Sequence, residues 1–199
     1  MQYLKDEVKD KILKAAVLEF KENGYMDCSI RKIAERAHIT SGNIYRYFSN
    51  KEALFDAIVA PVYGEFMEYI LNIKSELKSC SYMKKAEVLE YIQKINNTFP
   101  RLFEEYGNEL KILLNKSKGS KYSNVKEELI EVIDDLLKEN IAKEYLEAED
   151  SITYVLASTL VEGMCIILKQ YEDTEKIKVV FDKFIVIYSL GINESLSKK

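Results

Sequence analysis

The chain has 199 residues, of which 47% are hydrophobic and 31% charged, and its formal net charge is −4. The length allows one domain or two small ones, and only two prolines and seven glycines leave room for long helices. No run reaches the ~18 uncharged apolar residues that a membrane helix needs, and residues 1–7 contain no apolar signal core. We therefore expect a cytoplasmic protein with a real apolar core.

The charges are distributed unevenly along the chain. Residues 1–52 carry a balance of +2, whereas residues 53–199 carry a balance of −6. A mildly basic N-terminal part beside an acidic remainder predicts that nucleic acid is attracted to one end of the molecule only.

The first predicted helix covers residues 5–23. Val8, Ile12, Ala16 and Phe20 recur every four residues along it, and Gly24 follows as a residue suited to end a helix. We expect this helix to brace the two helices that follow.

Two short helices joined by a turn are predicted between residues 29 and 48. In the first, an apolar face at i, i+3, i+4 and i+7 follows Ser29 as a candidate N-cap. His38 and Ile39 form the turn, and Thr40 is placed to cap a second helix that ends near Tyr47.

The second of these helices separates an apolar face from a polar one. Ile44 and Phe48 are four residues apart and point to the core. The other faces carry Ser41, Gly42, Asn43, Tyr45, Arg46 and Tyr47. A helix-turn-helix has this layout, because one helix packs while the next inserts small polar residues of its first turn into the major groove.

Four segments in this region resemble the N-terminal signature of TetR-type transcriptional regulators. They are Ile33-Ala34, Ala37-His38-Ile39-Thr40-Ser41-Gly42, Ile44-Tyr45-Arg46-Tyr47-Phe48 and Lys51-Glu52-Ala53-Leu54. The signature covers about the first quarter of the chain, and the rest matches that family in length and helical character. One position departs, since the family usually has glycine where this chain has His38. That position favours positive φ, which histidine tolerates better than most residues, so we expect the turn to be kept with slight strain.

The resemblance implies an all-α fold with two parts. Residues 5–65 would form the helix-turn-helix DNA-binding head, with its reading motif at about 29–48, and residues 66–199 would form a helical effector-binding and dimerisation body. The resemblance implies that the DNA backbone is contacted by Ser29, Tyr47 and Lys51. Base reading falls to Thr40, Ser41, Asn43 and Tyr45, Gly42 leaves space for close approach, and Arg31 and Lys32 flank the groove. Arg46 is open to either a DNA contact or a surface salt bridge.

The remaining pattern predicts helices only, about nine in the whole chain. Ser49 and Glu52 form a capping box for a long helix that ends near residue 77, and Pro61 predicts a kink or break in it near Ile58. Further helices are predicted at 82–99, at 100–114 after Pro100, at 124–146, at 151–171 and at 174–195. A polar loop at 116–123 and an acidic connection at 147–150 separate some of them.

The last two predicted helices are apolar on more than one side. Phe184, Tyr188 and Gly191 continue one stripe of the final helix, while Val180 and Ile187 widen it. This pattern suits either a central core helix or a four-helix interface between two copies, and we favour the homodimer.

An effector site is predicted in the body on helices that resemble the pocket-forming helices of the family. The candidate residues are Phe66, Tyr69, Tyr91, Phe99, Phe103, Tyr106 and Glu162. An aromatic cavity with one acid suits a hydrophobic or cationic ligand. Each aromatic residue taken singly is explained better by core packing, and Glu162 is explained as well by a hydrogen-bonded role at an interface. The function expected is a homodimeric repressor released from a palindromic DNA operator by such a ligand. The alternative is a regulator controlled by a protein partner or by no ligand.

Few residues in the chain suit catalysis or metal binding. His38 is the single histidine, and no nucleophile–base motif is apparent, so neither an enzyme nor a bound metal or cofactor is predicted. Cys28, Cys80 and Cys165 are far apart and odd in number, which favours unpaired thiols over a redox sensor.

Overall fold

The computed structural model describes residues 2–78, 85–140 and 152–197, and the regular elements in these ranges are all α-helices. They are α1 (Gln2–Asp27), α2 (Ile30–Arg36), α3 (Ser41–Tyr45), α4 (Lys51–Lys78), α5 (Lys85–Lys116), α6 (Val125–Asn140), α7 (Ile152–Gln170) and α8 (Thr174–Ser197). The all-α fold class is confirmed. The predicted acidic connection at 147–150, Cys80 and the start of the helix predicted at 82 lie outside the described residues.

α1 changes direction at Gly24, where a helix stop was expected. Gly24 has φ 75° and ψ 172°, so the regular helix ends there and a short turn continues to Asp27. A Cβ atom at Gly24 would lie 3.4 Å from the carbonyl oxygen of Lys116. Glycine therefore provides both the positive φ and the close approach of a distant part of the chain.

The turn between α2 and α3 has the predicted geometry. His38 has φ 55°, which confirms the positive φ at this position. Ser29 and Thr40 precede α2 and α3 with extended backbone angles, but neither side chain makes the expected capping hydrogen bond.

The capping box predicted at the start of α4 is wrong, because Asn50 caps the helix instead. The amide of Ala53 donates to Asn50 Oδ1 at 2.8 Å, while Glu52 accepts a hydrogen bond from the Tyr25 hydroxyl at 2.6 Å. Further along, α4 continues through Pro61 without a break.

The helix break expected at Pro100 lies instead at Tyr106. α5 runs from Lys85 to Lys116, and within it Tyr106 has non-helical angles of φ −128° and ψ 30°. Over the described residues this single helix stands where the end of one predicted helix and the whole of the next were expected. The Tyr106 hydroxyl donates to Glu65 Oε1 at 2.6 Å, a tertiary contact that the spacing of apolar residues does not reveal.

The chain divides into two compact units. The first comprises the residues up to Glu65 together with Tyr106–Val125, and the second comprises Phe66–Glu105 and the residues from Lys126 onward. The N-terminal helices thus share their unit with a segment that is distant in sequence.

In the second unit, α7 and α8 pack closely together. The Phe184 ring lies where a Cβ atom at Gly163 would be, and the Tyr188 hydroxyl donates to the carbonyl of Leu156. α7 is long and apolar enough to cross a membrane by length and composition. It also carries fully buried residues such as Ala157 and Leu168, as the core helix of a globular unit does.

Candidate nucleic-acid interface

α3 presents a polar surface above a buried anchor. Ile44 and Phe48 are buried, at 1% and 6% exposure, as expected for the packing face. The residues predicted to face DNA in and beside α3 divide into Thr40, Gly42, Tyr45 and Arg46, which are exposed, and Ser41, Asn43 and Tyr47, which are half-buried. Tyr45 keeps 53% of its surface accessible, so its ring and hydroxyl are available to a partner.

A charged network attaches α2, and through it α3, to α1. Arg36 Nε donates to Glu19 Oε2 at 3.1 Å, and its Nη2 contacts Glu22. Glu19 is fully buried and also accepts a hydrogen bond from Asn23 Nδ2 at 2.9 Å. Because a buried carboxylate without a partner is costly, this pairing holds α2 in one position on α1.

The basic residues beside α3 remain largely accessible. Arg31 pairs with Glu35 at 3.0 Å, but their side chains are 84% and 62% exposed. An exposed pair of this kind contributes little stability, so phosphate can compete for the guanidinium. Lys32 and Arg46 are exposed as well, and Ser29 is half-buried just before α2.

Lys51 has partners other than the DNA phosphate that the family resemblance implies. Its Nζ donates to the carbonyl oxygens of Tyr25, Met26 and Cys28 at 2.8, 3.3 and 3.4 Å. The ammonium also lies 4.6 Å from the centre of the Tyr25 ring. Since a lysine has three N–H donors, these carbonyls occupy all of them and fix the end of α1.

The predicted effector residues are divided between the two units. Phe66 and Phe103 belong to the second unit, where they are buried at 0% and 4% exposure, and Tyr69 is half-buried there. Tyr106 belongs to the first unit. The side chains of Tyr91 and Phe99 lie outside the described residues.

Glu162 forms an ion pair with a lysine. Lys126 Nζ donates to Glu162 Oε1 at 2.9 Å, and the Glu162 side chain is 53% exposed. The structure thus pairs the only acid that was predicted for the effector site with a lysine.

The described cysteines are buried and poorly reactive. Burial raises the pKa of the Cys28 thiol to about 12 and that of Cys165 to about 11. A thiol that stays protonated at neutral pH is a weak nucleophile, which supports the packing interpretation. Among the described residues no group of His, Cys, Asp and Glu is arranged to hold a metal ion.

A group of interacting residues near the end of α1 was not predicted from the sequence. Tyr25, Glu52, Asp56, Lys121 and Tyr122 form a network in the first unit. The sequence of residues 116–123 predicts only a polar loop, and the one feature that indicates packing is Tyr122 within that polar stretch.

Comparison with known proteins connects this geometry to a family. Residues 12–58 match the family model described as bacterial regulatory proteins, tetR family. Over 57 residues the chain is 40% identical to the fatty acid metabolism regulator protein of Bacillus subtilis (strain 168), which covers 29% of each chain. Four curated relatives are each matched over 28% to 38% of their own length, so the chain matches only about a third of the length of these relatives.

Two further similarities extend over nearly the whole chain. The HTH-type transcriptional regulator QacR of Staphylococcus aureus (strain Mu50) is 24% identical over 196 residues, which cover 94% of this chain and 99% of QacR. The crystal structure of the transcriptional regulator FadR from Bacillus subtilis in complex with stearoyl-CoA superposes with a TM-score of 0.53 at 18% identity. That superposition covers 92% of this chain and 98% of FadR. At this identity the structural similarity establishes the fold alone.

Proposed function

Because this chain belongs to the tetR family of bacterial regulatory proteins, we propose that it is a homodimeric cytoplasmic repressor, released from a palindromic operator by a small hydrophobic ligand. The observation that carries the proposal is the polar first turn of α3, which is presented on a helix anchored by Ile44 and Phe48. Thr40, Ser41, Asn43 and Tyr45 would read bases, with Gly42 allowing close approach. Ser29, Arg31, Lys32, Arg46 and Tyr47 would bind the backbone.

Dimerisation is proposed through α7 and α8. Both helices leave large apolar side chains exposed in the single chain, including Val155 at 51%, Ile166 at 57% and Ile187 at 73%. Val155 and Ile166 are eleven residues apart, which is close to three helical turns, so they share one face. A second copy would bury this surface and place two reading heads on one duplex.

The proposed effector is hydrophobic rather than cationic. Phe66 and Phe103 provide buried aromatic surface in the second unit, whereas the carboxylate of Glu162 is paired with Lys126. Stearoyl-CoA, which the Bacillus subtilis FadR structure contains, is therefore the first compound to test.

Selection of DNA by the purified protein tests the DNA-binding part of the proposal. Duplexes of random sequence that the protein retains should converge on an inverted repeat, with half-sites separated by about one helical turn or a multiple of it. Tyr45→Ala should lower affinity for the selected duplex about tenfold or more, with little effect on a scrambled duplex of the same composition. If no sequence is enriched, the chain does not read DNA as proposed.

A regulator controlled by a protein partner, or by no ligand, is the second candidate. It is favoured by the near-complete burial of Phe66 and Phe103, since aromatic residues of an ordinary core are buried in the same way. The response of operator binding to a bound ligand separates the two candidates.

A further inference from the structure

A tight turn formed by residues 117–123 lies within the same compact unit as the DNA-reading helices. This turn follows α5 directly, and the segment Tyr106–Val125 belongs to the first unit. The end of α5 is firmly packed there, because Leu110, Ile112 and Leu113 are each 0% exposed. The reading helices therefore belong to the same compact unit as the end of α5 and this turn, although the two parts are distant in sequence.

Serine side chains make this turn rigid. Ser120 Oγ donates to the carbonyl of Ser117 at 2.7 Å and accepts from the amide of Tyr122 at 3.1 Å. Ser117 Oγ donates to the carbonyl of Tyr122 at 3.1 Å, and the amide of Gly119 donates to Ser123 Oγ at 2.9 Å. These hydrogen bonds between serine side chains and the backbone fix the local conformation of the turn.

The turn is attached to the first turns of α4. The Tyr122 hydroxyl donates to Asp56 Oδ1, and Lys121 Nζ lies 2.5 Å from the same oxygen. The amide of Lys121 donates to Glu52 Oε1 at 3.2 Å. The Tyr122 ring is 7% exposed and packs edge-on against Tyr63, with 5.2 Å between the ring centres.

Lys116, the last residue of α5, and the turn that follows it are also attached to the end of α1. Lys116 Nζ donates to the carbonyl of Glu22 at 3.2 Å. Gly119 has φ 88° and lies so close to Met26 that a Cβ atom there would be 2.6 Å from the Met26 side chain. Glu52 joins the two attachments, because it accepts from the Tyr25 hydroxyl as well as from the turn.

We infer that residues 116–123 are a positioning element of the DNA-reading head, holding the end of α1 and the start of α4, and so the orientation of α3, without touching DNA. The route is continuous: the turn holds α1, the Glu19–Arg36 pair attaches α2 to α1, and α2 carries α3 through the His38 turn. The inference rests on the proposed function and deepens it, because it assigns operator specificity to residues outside the reading motif.

The test uses the full-length protein and the duplex selected by the parent protein. The double variant Lys121→Ala/Tyr122→Phe removes the contacts to Asp56 but keeps the aromatic ring in place. Its matched control is Lys118→Ala, which removes an exposed lysine of the same turn and hence the same charge. Affinities for the selected duplex and for a scrambled duplex are measured well below the unfolding temperature of each variant.

We expect the double variant to bind the selected duplex about tenfold more weakly, with unchanged affinity for the scrambled duplex and unchanged salt dependence. The control should remain within about twofold. Exchanging the partners, in Asp56→Lys/Lys121→Asp, should restore more affinity than either single exchange does.

Equal loss of affinity for both duplexes, or parent-like specificity in the double variant, overturns the inference. Either result requires that the parent selects a duplex at all. Failure of that first step counts against the proposed function instead, so the two failures are distinguishable.

Discussion

His38 adopts a backbone conformation that is unfavourable for a residue with a side chain. Its φ of 55° lies in the left-handed region, which costs a non-glycine residue about 1–2 kcal/mol. Glycine avoids this strain but loses more conformational entropy on folding, which offsets part of the gain. His38→Gly should therefore raise the free energy of unfolding by up to about 1 kcal/mol, measured by urea denaturation. Gly24→Ala, at φ 75°, is the control and should lower it. A lower stability in His38→Gly would mean that the histidine ring makes a compensating contact.

Salt dependence of DNA binding distinguishes two roles of Lys51, which are fixing the end of α1 and contacting DNA phosphate. If its ammonium fixes the carbonyls of Tyr25, Met26 and Cys28, Lys51→Ala should weaken operator binding while the salt dependence stays the same. Lys32→Ala, which removes an exposed lysine of α2, should instead reduce the slope of log affinity against log salt by about two for a dimer. Salt titrations of both variants decide this. If Lys51→Ala reduced the slope of log affinity against log salt by about two, Lys51 would contact phosphate, as the resemblance implies.

Some local features of the helix ends were predictable from the sequence, and others were not. The N-cap positions of Ser29 and Thr40 and the positive φ of His38 were predicted correctly, because they depend on local backbone preference, but the capping hydrogen bonds expected from the two side chains are not made. The capping box of α4 was wrong because Glu52 is recruited by Tyr25 and by the amide of Lys121. Lys121 is 69 residues away, and no local pattern encodes such a partner.

At the scale of elements, apolar periodicity identified the helices but misplaced a break. Pro100 indicated the end of a helix, but α5 continues through it to a break at Tyr106. At that break the Tyr106 hydroxyl donates to Glu65 on α4. Proline removes one hydrogen bond, and the surrounding packing can compensate for that loss. The polar turn at 117–123 carries no periodic signal, so its membership of the same compact unit as the reading helices could not be predicted.

The interface proposed on α7 and α8 is tested best at Ile187. Phe184 is unsuitable because its ring packs on Gly163 within one chain, so its replacement would disturb the fold itself. Ile187 is 73% exposed in the single chain, and Ile187→Glu should leave the protomer folded while burying an unpaired charge in a dimer. Sedimentation velocity should then show a monomer.

Leu71→Glu is the control for that experiment. Leu71 is 50% exposed on α4, outside the proposed interface, so this variant should remain dimeric. A dimer that persists in Ile187→Glu, or one that dissociates in Leu71→Glu, would place the interface elsewhere.

At the scale of the whole molecule, the chain passes between its two units after Glu65, after Glu105 and after Val125. The family signature made the reading head predictable, because its residues are adjacent in sequence. The effector site was less predictable, since Phe66 and Phe103 are equally suited to a core, and Tyr106 proved to belong to the unit of the reading head. Aromatic residues contribute burial in both cases, and their spacing does not distinguish a core from a pocket.

Release from DNA requires a ligand that prefers a state other than the DNA-bound one. A ~100-fold preference corresponds to about 2.7 kcal/mol of coupling, and operator DNA must then weaken ligand binding by the same factor. A ligand that binds both states equally leaves operator affinity unchanged however tightly it binds.

The most direct measurement is a titration of the selected duplex with the protein, followed by fluorescence anisotropy, with and without ligand. The ligands are stearoyl-CoA and every compound that raises the unfolding temperature in a thermal-shift screen of hydrophobic molecules. At least one bound ligand should lower operator affinity about tenfold or more, and the duplex should lower the affinity for that ligand by the same factor. If every compound that binds the protein leaves its operator affinity unchanged, the ligand-released repressor is contradicted.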